Sequence, residues 1–164
     1  MRSIILISIS IIFSSLAYGK TYFKFDEVIH YRHTIGELEF EEMDARAAEN
    51  KTLYRLLSDQ KPAKLSKEGF EESLSINGYQ KRILDKSRMD SLKTMLVPKK
   101  NREYIGESCI VAFRDILIFK NKGKLRGIIK ICFWCGNVWP ISKKGEIDFG
   151  SYLELRRLGK ILSY

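Results

Sequence analysis

The stretch Glu107–Pro140 reads ESCIVAFRDILIFKNKGKLRGIIKICFWCGNVWP. Two runs rich in Ile, Leu and Phe flank the polar triplet Asn121-Lys122-Gly123, and all three cysteines of the chain lie inside the stretch. Apolar, β-rich runs on either side of a short Gly-containing turn are the signature of a β-hairpin. The arms, about 108–121 and 124–135, are expected to form the centre of an antiparallel sheet on which the helices pack.

A register follows from the turn. If Asn121-Lys122-Gly123 is a three-residue loop, Gly123 takes the left-handed position that such loops require. Lys120 then faces Lys124, Phe119 faces Leu125, Leu117 faces Gly127, Phe113 faces Ile131 and Val111 faces Phe133. That is a continuous apolar face, which is what specifies a register. Asp115, opposite Ile129, interrupts it and requires a partner elsewhere in the fold. On the other face Arg114 opposes Lys130. Like charges directly opposite repel, so an acidic neighbour is expected.

The same register sets Cys109 across from Cys135, close enough for a disulfide. Cys132, three residues earlier on the strand, points to the opposite face as a buried free thiol. A two-residue loop shifts the pairing by one, and a bulge near Gly136 places Cys132 beside Cys109 instead. Two chemical readings compete with this structural one. Cys132-Phe-Trp-Cys135 has the spacing of a thiol-redox motif, but such motifs sit at a helix N-terminus that lowers the thiol pKa, and Gly136-Asn137-Val138-Trp139-Pro140 carries no helix signal. A zinc site needs four ligands; Cys109, Cys132 and Cys135 are candidates, with His30 and His33, the only two histidines. On a regular strand two residues three apart diverge, so both histidines ligate only if the strand ends between them. No feature of the sequence pairs a cysteine with a histidine for hydrolysis.

Working outward, Thr21–His33 alternates as a half-buried first strand, with Phe23, Phe25, Ile29 and Tyr31 on one parity and Lys24, Asp26 and His30 on the other. Glu37–Leu57 reads as one helix, with Phe40, Met43, Ala47, Tyr54 and Leu57 on a stripe and acids crowding its start, where the helix dipole favours them. Ser66–Ser75 is a second helix. Tyr79–Leu84 is a brief extended link. Ser87–Val97 is a third helix, with Met89, Leu92 and Leu96 facing the core. Lys99-Lys100-Asn101-Arg102 is a basic loop. A loop from Ser142 to Gly145 leads to a last helix starting at Asp148 or Ser151, with Tyr152, Leu155, Leu158 and Leu162 inward. Strand, helices, strands, helix is the order of an α+β domain with three to four helices.

The chain has 164 residues, which suits a single domain over 20–164. Residues 1–19 read as a signal peptide: Arg2, the apolar run Ile4–Phe13, then Ala17-Tyr18-Gly19 before Lys20. That run is too short to span a bilayer, and no later stretch is apolar enough to do so. Export to the periplasm or beyond puts the cysteines where disulfides persist. The net charge of +9 admits anionic partners, but the basic residues are interleaved with acids and serve solubility. No nucleic-acid partner is expected, and oligomeric state is left open.

The residues Cys109, then Phe113-Arg114-Asp115-Ile116-Leu117-Ile118-Phe119, then Gly127–Cys135 resemble small exported proteins of Gram-negative bacteria that carry a "YRD" strand followed by a "KICFxC" strand. Phe113 stands where that pattern has Tyr, and Phe25–Arg32 (FDEVIHYR) is similar as well. The resemblance covers the hairpin and first strand. The group has no established activity, so the resemblance implies export and a shared fold and supplies no catalytic residues.

The expected function is therefore an exported, non-enzymatic domain that binds a protein or an anionic surface polymer, without a cofactor. Arg114, Lys130, Trp134 and Trp139 are the candidate contact residues, the tryptophans because large amphipathic rings are enriched at interfaces. The alternative is a thiol-redox or zinc protein built on Cys109, Cys132 and Cys135.

Overall fold

A computed structural model of the chain describes residues 21–45, 51–58, 69–97, 109–142, 145–146 and 152–163. The signal-peptide segment and the basic loop at 99–102 lie outside these residues. The elements, in order, are β1 (Glu27–Arg32), α1 (Glu37–Ala45), α2 (Lys51–Ser58), α3 (Phe70–Ile76), β2 (Gln80–Ile83), α4 (Lys86–Met95), β3 (Asp115–Asn121), β4 (Lys124–Cys132), β5 (Asn137–Ser142), β6 (Gly145–Glu146) and α5 (Tyr152–Leu162). The strands form one antiparallel sheet in the order β2-β1-β3-β4-β5-β6. The fold is α+β, and the β3–β4 hairpin is central.

Helices cover both faces of the sheet. On one, Val28, Leu117, Phe119, Ile129 and Ile131 pack against Leu92, Met95 and Leu96 of the α4 region and Leu155, Leu158 and Leu162 of α5. On the other, Ile29, Tyr31, Ile116, Ile118 and Ile128 meet Phe40, Leu53, Leu57 and Leu74 from α1, α2 and α3. This explains why Ile116-Leu117-Ile118-Phe119 does not alternate: a strand covered on both sides is apolar on both parities. It also corrects the half-buried reading of β1, in which Val28, Ile29, His30 and Tyr31 are all buried. Full burial of each such large apolar side chain contributes about 1.5–3 kcal/mol.

The hairpin register differs from the expected one. Asn121 faces Lys124 and Lys120 faces Leu125; a bulge then intervenes, so that Phe119 faces Gly127, Leu117 faces Ile129 and Asp115 faces Ile131. The loop is the two-residue turn Lys122-Gly123, with φ of 50° and 70°. Positive φ at both central residues is the turn that matches strand twist. Lys122 tolerates it beside the Asp26 carboxylate, whose oxygens accept the Lys122 N–H at 2.9 and 3.0 Å. The bulge takes up one extra residue on β4 and restores the apolar faces. Gly127, next to it, is held to glycine by space: a Cβ there would lie 2.8 Å from the Phe23 ring and 3.1 Å from the Ile141 carbonyl oxygen.

Other boundaries move for local reasons. The first hairpin arm starts at Asp115, because residues 112–114 leave the ladder. Phe113 N–H donates to the Leu57 carbonyl at the end of α2, and Arg114 C=O accepts from His33 N–H. The long expected helix over 37–57 is described as α1 and α2, on either side of residues 46–50. The link before α4 is a true strand, β2, on β1. α4 starts at Lys86, and Asp85 caps it, its carboxylate accepting Arg88 N–H at 2.9 Å, which is the standard N-cap contact. β5, a strand the sequence reading does not assign, pairs with β4 along Gly127–Cys132.

Candidate functional site

The three cysteines meet at one end of the sheet. Cys132 is the last residue of β4, and Cys135 lies in the turn that leads into β5. Cys109 reaches this turn from the coil ahead of β3 and is disulfide-bonded to Cys135, with Cα atoms 6.0 Å apart, inside the range that a disulfide spans. The expected pair is thus present, but not by direct opposition on adjacent strands: the ladder ends at Asp115↔Ile131. Coil on one side and turn on the other bring the sulfurs together. Cys132 is a buried free thiol. The tight turn directs Cys135 N–H to the Cys132 sulfur, 3.4 Å away. Phe113, Cys132 and Cys135 form a small core, with Cys109, Val111 and Trp139 packed against it.

The coil that carries Cys109 is pinned from residue 112 onward. Besides the two backbone bonds above, the Tyr79 hydroxyl donates to the Phe113 carbonyl oxygen at 3.0 Å. Burial, reinforced by the negative charge of Asp115, drives the Tyr79 pKa well above its ordinary value, so the hydroxyl stays a donor. Ahead of residue 112, Cys109 and Val111 pack against the cysteine core, and the disulfide ties Cys109 to the turn. Ile110 is 50% exposed there, its carbonyl oxygen 3.4 Å from the Cys135 sulfur, and Trp134 on the turn is 48% exposed.

Of the four expected contact residues, Trp134 alone is exposed. Lys130 is buried, with its ammonium 4.8 Å from the centroid of the Phe113 ring, a cation–π contact; it offers no surface. The reason is register: Lys130 faces Ile116 on one side and Trp139 on the other, on a sheet face that α1–α3 cover. Arg114 is not opposite Lys130, so the expected repulsion does not arise. Its guanidinium donates to the Ile35 carbonyl oxygen at 3.1 Å. Trp139 is half-buried against the cysteine core.

The histidines do not join the cysteines. His30 is on the α4–α5 face of β1, and its Nε2 lies 2.7 Å from Asp115 Oδ1. Cys132 shares the parity of Ile128, on the opposite face. His33 lies past the end of β1, its ring centroid 5.1 Å from that of Tyr79 and its Nδ1 accepting Ile35 N–H at 3.0 Å. Burial pushes its pKa below the ordinary histidine value, against the pull of Glu39 and a backbone bond with Asn77. Among the described residues no group of three or more His, Cys, Asp or Glu side chains is arranged to hold a metal ion.

The His30–Asp115 pair was not read from sequence, although Asp115 stood out as a lone acid on an apolar face. That anomaly was the available signal. A buried carboxylate needs a partner, and the partner came from a strand 85 residues away.

Comparison with family models, with curated proteins and with solved structures returns no match. Among the described residues, no helix is long and apolar enough to cross a membrane.

Proposed function

We propose that this chain is an exported, non-enzymatic domain that binds a protein partner through the disulfide-clamped end of its sheet. The observation that carries the reading is the exposure of Trp134 and Ile110, each about half exposed and each next in sequence to one half of the Cys109–Cys135 bond. A tryptophan held on a cross-linked turn loses little conformational freedom on binding, and large aromatic side chains dominate interface energetics. The export pattern of residues 1–19 and the resemblance of the hairpin to small exported proteins support the location. The buried carboxylate Asp115 is engaged with His30 inside the fold, which supports a structural role for that pair over a catalytic one. An anionic surface polymer is the other partner class, supported by the net charge of +9.

A photo-reactive residue placed at position 134 in the full chain, expressed in its native host, tests this. A discrete protein adduct is expected there and not from a control at exposed Lys122. Equal adducts from both positions, or none, would overturn it. Binding to a polyanion that Trp134→Ala leaves unchanged would shift the reading to the polymer class. The second functional reading is thiol chemistry at Cys109, Cys132 and Cys135, and the 3.4 Å approach of Cys135 N–H to the Cys132 sulfur favours it.

A further inference from the structure

The geometry points to an internal thiol–disulfide exchange site in which buried Cys132 is the attacking thiol and Cys109 the leaving one. Three observations combine. The free thiol and the disulfide share one small core. The Cys132-Phe133-Trp134-Cys135 turn folds the Cys132 sulfur back to the Cys135 backbone. The leaving residue, Cys109, lies in coil outside the strand ladder, and the bonds at Phe113 and Arg114 that pin this coil fall four and five residues beyond it.

The step balances within the chain. Cys132 loses its proton to solvent, and its thiolate attacks the Cys135 sulfur. The Cys132–Cys135 bond forms as the Cys109–Cys135 bond breaks, and the Cys109 thiolate leaves and takes up a proton. No oxidant or reductant is consumed, because the number of disulfides and thiols is unchanged. The outcome is positional: the free thiol moves from a buried site to half-buried Cys109, and residues 109–111 are released while Phe113 and Arg114 keep their contacts. This inference does not depend on the proposed binding role.

The test uses the full-length oxidised protein, held in mildly alkaline buffer without reductant, alkylated under native conditions, acid-quenched and mapped by peptide mass. Label on Cys109 together with a linked Cys132–Cys135 peptide is expected, growing with incubation time. Cys132→Ser must abolish the Cys109 label. Label confined to Cys132, no label at any time, or Cys109 label that survives Cys132→Ser would each overturn the proposal. A second variant, Cys109→Ser, is expected to carry the Cys132–Cys135 disulfide after oxidative expression; two free thiols in that folded variant would also overturn it. Should that variant not fold, the wild-type labelling decides alone.

Discussion

His30 Nε2 and Asp115 Oδ1 lie 2.7 Å apart between the sheet and the α4–α5 layer, with His30 fully buried and Asp115 nearly so. The contact joins β1 to β3 across the face where Leu117, Ile129 and Ile131 pack. Removing one partner leaves the other buried without this bond, which costs about 1–3 kcal/mol for a buried polar group. Asp115→Ala should lower the unfolding free energy by that amount in urea titrations. Asp115→Asn, which keeps an acceptor, should cost less. A double-mutant cycle with His30→Ala should give a coupling energy; strict additivity would show that the pair does not act as a unit.

Gly127 is fixed by the Phe23 ring and the Ile141 carbonyl oxygen, 2.8 and 3.1 Å from where a Cβ would lie. Gly127→Ala should therefore destabilise by roughly 1–3 kcal/mol, the usual cost of overpacking. Phe23→Leu in the same chain should recover part of the loss, since the ring is the movable obstacle and the carbonyl is not. A Gly127→Ala protein as stable as wild type would contradict the close packing of residue 23 on β4.

The Cys109–Cys135 bond closes a loop with a sequence separation of 26. A cross-link of that span stabilises by roughly 3 kcal/mol, chiefly by restricting the unfolded chain. Complete reduction should lower the denaturation midpoint accordingly. The sheet should survive it, because the core of β1, β3 and β4 does not run through the cysteines; far-ultraviolet circular dichroism of the reduced protein checks this.

His33 connects stability to pH. Its pKa in the folded chain lies below the ordinary 6.5, with burial as the main cause. The unfolded chain therefore binds a proton more readily than the folded one as pH falls through that value. Stability from this residue is present above pH 6.5 and is lost on acidification toward the folded pKa. His33→Asn, which keeps an acceptor near the Nδ1 position, should flatten this part of the stability–pH curve; an unchanged slope would remove His33 as its source.

Much of the architecture is legible in local sequence. The hairpin, the last helix with Leu155, Leu158 and Leu162 inward, and the left-handed Gly123 follow from apolar patterning and turn chemistry, which act over a few residues. The Cys109–Cys135 pairing was reached through an incorrect register. A two-residue turn and a bulge replace the three-residue loop, and local signals barely separate these because both leave apolar residues facing apolar residues. β5 was missed because Asn137-Val138-Trp139-Pro140 lacks alternation, and its pairing with β4 is a long-range gain.

Composition and order thus determined the class of fold and the hairpin at its centre, because each depends on neighbours in sequence. Tertiary structure alone decided that Lys130 is interior, that Asp115 meets His30, and that Cys132, expected as a free thiol pointing away, shares one small core with the disulfide. Those outcomes depend on which faces helices far apart in the chain come to cover, and on where coil and turn carry the strand ends once the ladder stops.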